Sequence, residues 1–354
     1  MKVVLLGDTH AGCRGGSQHF NEFFEQFYIN IFFPYLIQND IKTVFQLGDI
    51  FDSRRHTNHL SLSEFSRYFF SKFDEYNIQL ITLLGNHDLY YRESLSVSSS
   101  ELFLNQFKNI TVINKPTRLS EYNISMIPWI CKENYTECLD FIKTDTSSIC
   151  LGHFDISGFK MYQNSISSEH GLSNTIFSNY EDVYSGHFHH RSQQGNIEYI
   201  GTPYEMNWQD YDDQKGFYVL DLESKTKEFI KNPFSIYLKF DYDDVEEGDV
   251  STSDYLNPDF LQQFDNKYVK IKVDNKTNPY LFDLFVDALN TRNVLDLSII
   301  EDSINFDLDT DVDESKDTLS ITYNYIDSIK QTDLDSNKLK SIMSELYNEA
   351  LAIE

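Results

Sequence analysis

The first 90 residues show two alternating patterns of hydrophobic positions. Short, continuous apolar runs predict three buried strands, at residues 2–7, 43–48 and 79–84. Between these runs, aromatic side chains recur every three or four positions, which predicts helices at residues 18–39 and 59–76. Strands that alternate with helices are usually joined by right-handed crossovers, so we expect a largely parallel central sheet.

Pro34 interrupts the first of these helical patterns. Because proline lacks a backbone N–H and clashes with the preceding turn, we expect it to kink the helix or divide it in two. The aromatic stripes of both helices are expected either to pack in the core of the protein or to form an interface with another chain. Four aromatic side chains lie off the main stripes: Phe32, Phe33, Tyr68 and Phe70. We expect them to be exposed, and exposed apolar patches mark interfaces, so the pattern predicts a homodimer.

Beyond residue 129 the apolar runs become shorter and predict further strands, some of them antiparallel: 148–152, 182–186, 197–200 and 216–222. Pro233 follows a polar stretch and marks the expected end of this domain, which we place at residues 1–235. The expected fold class is therefore α/β with mixed sheets.

The last third of the chain has a different pattern. Residues 236–306 predict a small α+β domain, with strands at 236–243, 268–275 and 295–301 and a helix at 279–291. An acidic linker is expected at 307–317, and it precedes a helical segment at 318–354. In that segment we expect two short amphipathic helices, at 318–330 and 335–352, that either bind a partner or fold back on the small domain.

The chain is strongly acidic, with 29 Lys and Arg against 56 Asp and Glu and a net charge of −27. Residues 1–235 carry −10 of this charge and residues 236–354 carry −17. Nucleic-acid binding relies on lysine and arginine to neutralise phosphates, so this balance argues against strong binding of nucleic acid by the chain alone. Bound divalent metal ions would offset part of this charge locally.

The cysteine pattern and the lengths of the apolar runs exclude several classes of protein. Four cysteines show no CxxC spacing, so neither a zinc site nor a disulfide framework is expected, and a reducing, cytoplasmic compartment fits. No apolar run approaches the ~20 residues that span a bilayer, so no membrane segment is expected.

Polar side chains crowd immediately after the predicted strands. The groups in question are Asp8-Thr9-His10, Asp49-Ile50-Phe51-Asp52, Asn86-His87-Asp88, His153 and His187-Phe188-His189. Ligands of open α/β sheets bind beyond the carboxyl ends of strands, so a shared site is expected there. A carboxylate such as Asp49 can bridge two metal ions, and donor sets of Asp, His and Asn without thiolate suit Mn²⁺ or a similar ion.

This ordered set resembles the calcineurin-like metallophosphoesterases, and among them the SbcD-type nucleases of DNA recombination and repair, including those of large tailed bacteriophages. Segments 127–130, 185–189 and 199–203 support the resemblance, which covers residues 1–235. It implies a metallophosphoesterase sandwich, a small capping domain, and an exonuclease or endonuclease that hydrolyses phosphodiester bonds by a two-metal mechanism.

The resemblance also implies a role for each residue of the motifs. One metal would be held by Asp8, His10, Asp49 and His189, and the other by Asp49, Asn86, His153 and His187. His87 would act on the phosphate or the leaving oxygen, oriented by Asp52 or Asp88. Some relatives have histidine at the position of Asp52. The two ions would be Mn²⁺, or Mg²⁺ in its place.

The partners that the resemblance implies are DNA, as double-stranded ends and single strands, an SbcC-like coiled-coil ATPase, and a second copy of the chain. The ATPase would bind the C-terminal helices, and the second copy would bind through the two early helices.

Two other functions remain open from the sequence. One is a phosphomonoesterase or protein phosphatase on the same metal site, which Arg54 after the second motif leaves possible. The other is a non-catalytic tether for DNA ends, which would tolerate loss of ligands, and none is lost. Five arginines near the motifs either contact phosphates or are solvated: Arg14, Arg54, Arg55, Arg92 and Arg191.

Overall fold

Two six-stranded sheets form the centre of the computed structural model, which describes residues 1–169, 171–245 and 254–301, together with 326, 338–340 and 343. Residues up to 301 belong to one compact unit. The predicted linker at 307–317 lies outside the described residues, and so do the predicted helices at 318–330 and 335–352 apart from those five positions. The domain boundary placed at residue 235 stays a prediction.

The first sheet contains the three strands that open the chain. Its strands, in spatial order, are β14 (Thr226–Lys231), β13 (Gly216–Asp221), β1 (Lys2–Leu6), β2 (Thr43–Gln46), β3 (Gln79–Leu83) and β6 (Ile110–Ile113). β1, β2, β3 and β6 are parallel to one another, and β13 and β14 add an antiparallel edge. The predicted strands of this part are therefore confirmed, each ending one or two residues earlier than the apolar run.

The second sheet has the same number of strands and a parallel centre. Its order is β11 (Ser192–Gln194), β12 (Ile197–Tyr199), β10 (Asp182–Gly186), β9 (Ile149–His153), β8 (Ile124–Ile127) and β7 (Thr117–Leu119). β8, β9, β10 and β12 are parallel, and both edge strands are antiparallel. Side chains such as Leu5, Phe45, Met126 and Leu151 from the two sheets share one buried cluster, so the sheets form a sandwich.

Helices cover the outer faces of the sandwich. The first long helix runs through Gln18–Phe27, Tyr28–Phe32 and Phe33–Gln38, and the second through His59–Phe65, Ser66–Phe70 and Ser71–Glu75. Shorter helical segments are Cys13–Gly16, Ser99–Leu104, Tyr135–Thr144, Asn174–Phe177 and Trp208–Asp210. A hairpin of β4 (Leu89–Tyr91) and β5 (Ser94–Ser98) follows the third strand of the first sheet. The expected α/β class with mixed sheets is confirmed.

Each long helix contains one wide turn of the π type in its middle, Tyr28–Phe32 in the first and Ser66–Phe70 in the second. Pro34 lies two residues after the first wide turn, and the backbone torsion angles at Phe32 and Phe33 are helical. The wide turn accommodates the residue that cannot donate a hydrogen bond, so the regular α-helix is interrupted here while the chain keeps a helical conformation.

The four aromatic side chains expected to form an exposed patch are instead buried, which is a correction to the sequence analysis. Phe32, Phe33, Tyr68 and Phe70 are each at most 2% exposed. The wide turns shift the helical register, and the two helices pack on each other as well as on the sheet, with Tyr28 and Phe69 rings 4.4 Å apart. The patch that predicted a homodimer is therefore core.

A third, three-stranded sheet lies after residue 236. Its parallel strands are β15 (Tyr237–Asp243), β16 (Tyr268–Asn275) and β17 (Asp296–Ile300), and its helices are Asp254–Leu256, Pro258–Leu261, Gln262–Phe264 and Pro279–Asn290. These elements enclose a separate aromatic cluster around Tyr242, Phe264 and Phe285. The strands and the long helix predicted here are confirmed. None of the helices in the described ranges is both long and apolar enough to cross a membrane.

Candidate metal centre

The predicted polar groups meet at the carboxyl ends of five parallel strands. Asp8 and His10 follow β1, Asp49 follows β2, and Asn86 and His87 follow β3. In the second sheet, His153 ends β9, and His187 and His189 follow β10. The carboxyl ends of parallel strands lie at one edge of a sheet, and the sandwich brings the edges of both sheets together.

Three of these residues adopt a backbone conformation that is unusual for any residue except glycine. The φ angle is 42° at His10, 51° at Asp49 and 83° at His187. Such left-handed conformations cost free energy and persist where the surroundings impose them, often at functional sites. Here the bends turn the three side chains back into the space between the sheets.

The glycines beside the ligand candidates allow this close approach. A Cβ on Gly85 would lie 2.2 Å from Asp49 Oδ1, and one on Gly186 would lie 2.4 Å from Asp8 Oδ1. Because real Cβ atoms do not approach other atoms so closely, larger residues at either position would displace the carboxylates.

The ligand candidates form two groups. Ligand atoms of Asp8, His10 and His189 lie within 4.8 Å of one another, and so do those of Asp49, His153 and His187. His10 Nε2 lies 3.8 Å from Asp49 Oδ2, which connects the first group to the second. This grouping follows the division into two metal sites that the resemblance implies, with Asp49 between them.

Asn86 completes the second group, with one atom of its amide facing inward. That atom is 2.9 Å from His153 Nε2, 3.0 Å from His187 Nδ1 and 3.2 Å from Asp49 Oδ2. Placing the amide oxygen inward directs lone pairs from four side chains at one point, whereas placing the nitrogen inward would pair them by hydrogen bonds. The first arrangement is the one that a cation requires, so we assign the oxygen to the inward position.

Hydrogen bonds fix the orientation of the imidazoles. His153 Nδ1 lies 2.7 Å from the carbonyl oxygen of Leu47, so this nitrogen donates and Nε2 carries the lone pair. His10 Nδ1 lies 3.2 Å from Asp52 Oδ1, which leaves His10 Nε2 to the centre. Within the described ranges, His10 Nε2 and His189 Nδ1 are buried without a hydrogen-bond partner, as expected of atoms that bind a metal.

His87 is held by two contacts and lies at the margin of the two groups. Its backbone N–H donates to Asp49 Oδ1 at 2.7 Å, and its Nδ1 lies 2.5 Å from the backbone carbonyl oxygen of Asp52. The ring is partly accessible and lies edge-on to His10, with centroids 5.0 Å apart. Because Nδ1 donates to the carbonyl, Nε2 is the nitrogen that faces a substrate.

Of the two residues expected to orient His87, Asp52 contacts the ring through its backbone, and the Asp88 carboxylate binds other groups. Asp52 places its carboxylate on His10 and only its backbone oxygen on His87. The Asp88 carboxylate accepts N–H donors from Ile50, Phe51 and Gly85, so it ties the second and third motif loops together.

The charges of the centre are strongly coupled. Burial alone would raise the pKa of Asp49, but the nearby imidazoles of His153, His87 and His10 outweigh it and hold this pKa well below its usual range. Burial would lower the pKa of His10 and His153, yet the surrounding carboxylates raise both to about 9. Burial lowers the pKa of His187, His189 and His87. Carboxylates that attract protons in this way equally attract divalent cations.

Two further residues lie around the centre, and only one of them carried a signal in the sequence. Lys215 donates from Nζ to the carbonyl oxygen of His189 at 3.0 Å, and the Trp129 ring lies 5.0 Å from the ring of His187. Trp129 belongs to a segment that supports the resemblance, but Lys215 lies outside the motifs. Two of the five arginines are engaged elsewhere: Arg14 donates to the Met206 carbonyl, and Arg191 lies over the ring of Phe229.

Comparison with known proteins gives matches over the whole chain. The family model described as calcineurin-like phosphoesterase matches residues 1–213. The chain is 32% identical over 353 residues to Exonuclease subunit 1 of Enterobacteria phage T4, covering 99% of both proteins. It is 25% identical over 315 residues to SbcD of the SbcCD nuclease of Staphylococcus epidermidis, covering 80% of this chain and 79% of that protein.

One solved structure, described as a novel archaeal phosphodiesterase, overlaps 66% of this chain and all of its own. The sequence identity is 12% and the TM-score is 0.34. A structural similarity this weak supports no conclusion about the chain.

Proposed function

Because the chain belongs to the calcineurin-like phosphoesterase family, we propose that it is the nuclease component of an SbcCD-type complex that processes DNA ends in recombination and repair. The observation that carries this proposal is the pair of His/Asp groups between the sheets, joined through Asp49. The full-length similarity to an exonuclease subunit supports DNA as the substrate.

The proposed ligands of one ion are Asp8, His10, Asp49 and His189, and those of the other are Asp49, Asn86, His153 and His187. The donors are nitrogen and oxygen atoms without thiolate, a set that favours Mn²⁺ and accepts Mg²⁺. Two such ions, when bound, polarise the phosphate and activate water for in-line attack on phosphorus. The buried, unpaired His10 Nε2 and His189 Nδ1 fit this occupancy.

His87 acts on the substrate rather than on a metal in this proposal. The contact from Nδ1 to the Asp52 carbonyl oxygen fixes the ring and presents Nε2 to the phosphate or to the leaving oxygen. Burial lowers the pKa of His87, so the ring is neutral until the negative charge of a phosphate favours its protonation. Asp52 serves as a positioning residue for His10 through its carboxylate and for His87 through its backbone carbonyl, and Asp88 positions the motif loops.

The proposal includes two protein partners. An SbcC-like coiled-coil ATPase would bind the segment 318–354 and supply the basic surface that a chain of net charge −27 lacks. A homodimer through the two long helices rests on the resemblance alone, because the side chains that suggested it are buried. As a relative of a phage exonuclease subunit, the protein would act in the cytoplasm of a bacterial host.

A phosphomonoesterase is the second candidate on the same centre, and one observation favours it. Arg54 Nη2 lies 3.3 Å from the outer amide atom of Asn86, where a guanidinium could bind a terminal phosphate. The length and identity of the match to an exonuclease subunit favour the nuclease.

Substrate comparison in Mn²⁺ separates these functions. The purified chain is incubated with end-labelled linear and circular DNA, with bis-p-nitrophenyl phosphate and with p-nitrophenyl phosphate, with and without the ATPase. The proposal predicts cleavage of DNA and of the diester, and little hydrolysis of the monoester. Preference for the monoester would indicate the phosphatase, and cleavage of none of them would indicate a tether.

A further inference from the structure

The hairpin that follows His87 carries exposed tyrosines beside arginines, in a chain that is acidic. Tyr90 and Tyr91, at the end of β4, are 40% and 53% exposed, with their rings edge-on and 4.8 Å apart. The Arg55 guanidinium lies over the Tyr90 ring, 5.5 Å from its centroid. Arg54, Arg55, Tyr90, Tyr91 and Arg92 together are called the hairpin patch below.

The hairpin patch begins at the metal centre. Arg54 Nη2 lies 3.3 Å from the amide of Asn86, and Tyr90 is three residues from His87 along the chain. A strand whose phosphate lay at the metals would therefore have its neighbouring nucleotides beside these side chains.

The positive charges of the patch are only partly balanced, because Asp49 and Asp88 attract the Arg54 guanidinium without forming an ion pair with it. Among the described residues, no ion pair joins Arg54, Arg55 or Arg92 to a carboxylate, and Arg54 Nη1 is buried without a hydrogen-bond partner. Arg55 and Arg92 are also exposed, and exposed guanidinium groups without a carboxylate partner are suited to bind phosphates.

The acidic side chains nearby are occupied on the far side of the hairpin. Glu93 accepts the backbone N–H of Lys132 at 3.0 Å, and Glu133 accepts that of Leu95 at 2.8 Å. Both carboxylates thus tie the hairpin to the loop after Trp129. The exposed tyrosines remain beside arginines in a chain of net charge −27.

From this arrangement we infer that the hairpin patch binds single-stranded DNA next to the metal centre, with bases stacked on Tyr90 and Tyr91 and phosphates on Arg55 and Arg92. A base stacks on an aromatic ring only when it is free of its own helix, and arginine contacts the backbone of any sequence. The inference rests on the proposed nuclease function. It adds the place where the DNA strand lies, and it predicts that the patch binds DNA of any base sequence.

The first test compares two double variants with a matched control. Tyr90→Ala/Tyr91→Ala removes the rings, Tyr90→Phe/Tyr91→Phe keeps them, and Tyr280→Ala removes a 72% exposed tyrosine from another part of the chain. On fluorescein-labelled oligothymidylate in Mn²⁺, the alanine pair should raise KM about tenfold, the effect of losing base stacking. The phenylalanine pair and Tyr280→Ala should stay within about twofold of the wild type.

Bis-p-nitrophenyl phosphate reports on the metal centre alone, because it is too short to lie along the hairpin. The alanine pair should hydrolyse it within about twofold of the wild-type rate. An equal loss on both substrates would show that the hairpin shapes the centre instead of binding a strand, and would overturn the inference. An unchanged KM for oligothymidylate would overturn it as well.

Anisotropy of the same oligonucleotide in EDTA tests binding without cleavage, so the result does not depend on nuclease activity. The alanine pair should weaken binding about tenfold, and blunt duplex should be affected much less. Arg55→Gln should reduce the slope of log affinity against log salt by about 0.7. Equal losses on duplex would contradict the single-strand assignment. A wild type that binds this DNA but cleaves neither substrate would refute the nuclease and leave the patch standing.

Discussion

At the scale of single residues, neighbouring side chains of the metal centre make different contacts: His87 contacts the backbone carbonyl of Asp52, whereas His10 contacts its carboxylate. Asp8, His10, Asp49, Asn86, His153, His187 and His189 were expected together because each follows a strand, and the structure brings them together. The contacts of Asp52, Asp88 and His87 could not be read from the motifs, because they involve backbone atoms whose positions depend on the loops.

His87→Ser separates a residue that acts on substrate from a metal ligand. The variant should lose most DNA cleavage, on the order of a hundredfold or more, because a positioned acid or electrostatic group typically contributes this much. It should still bind two Mn²⁺ ions per chain, since His87 belongs to neither group of ligand atoms. Metal analysis at saturation checks this, with His153→Ser as the comparison that should lose an ion. One ion or none in His87→Ser would contradict the assigned role.

Glu205 should make stability depend on pH. The carboxylate is 5% exposed and accepts the N–H groups of Ile236 and Tyr237, and burial raises its pKa to about 7 from an ordinary value of 4.5. At pH below the ordinary value both folded and unfolded states are protonated, so no penalty arises. As pH rises from 4.5 to about 7, the carboxyl group ionises in the unfolded state while it stays protonated in the folded state. About 3 kcal/mol of stability is therefore lost by the time the pH has passed through 7.

The measurement is urea unfolding at pH 5, 6, 7 and 8 for the wild type and Glu205→Gln. The wild-type free energy of unfolding should fall relative to the variant as pH rises, because glutamine does not ionise. Parallel pH profiles for the two proteins would show that Glu205 titrates normally.

At the scale of elements, strands and helix faces were predictable where the periodicity was clean. β1, β2, β3 and the three strands of the small sheet were predicted closely, because continuous apolar runs mark buried parallel strands. The burial of Phe32 and Tyr68 was not, because a wide turn changes which face a residue occupies and leaves no sign in a pattern counted at 3.6 residues per turn.

Lys215 connects the loop after β12 to the ligand segment that follows β10. Its Nζ is buried and donates to Asp210 Oδ1 at 2.7 Å, to Asp213 Oδ2 at 3.2 Å and to the carbonyl oxygen of His189. Lys215→Met leaves Asp210 buried without its cation, so the free energy of unfolding should fall by about 3 kcal/mol. Mn²⁺ affinity should fall as well, because His189 loses its backbone support.

The double variant Lys215→Met/Asp210→Asn is the control for that prediction. It removes the negative charge that Asp210 would otherwise carry in the core without a cation. Part of the lost stability should therefore be recovered, which chemical denaturation measures. A cost below about 1 kcal/mol for Lys215→Met alone would show that the ion pair contributes little.

At the scale of the whole molecule, the structure accounts for the catalytic unit, whereas the role of the expected C-terminal helices has to be tested. The sandwich, its centre and the small sheet account for residues up to 301. Of the expected C-terminal helices, Ile326 is buried and Met343 is 37% exposed. A sequence pattern shows that a face is apolar, but which surface covers it depends on tertiary contacts.

Deletion of residues 315–354 distinguishes these alternatives. If the segment binds the ATPase, the shortened chain should keep its melting temperature and its Mn²⁺-dependent cleavage of short DNA, and should lose co-purification with the ATPase. A large fall in melting temperature with the ATPase still bound would show that the segment belongs to the core.

The central claim is that two metal ions share Asp49 and cleave DNA, and counting Mn²⁺ in an active sample tests it most directly. Purified chain is dialysed against Mn²⁺, and bound metal and degradation of linear DNA are measured on the same material. The account predicts two ions per chain and degradation in the wild type, with both reduced in Asp49→Ala, since Asp49 is a proposed ligand of both ions. Full DNA degradation with fewer than two ions, or in Asp49→Ala, would contradict it.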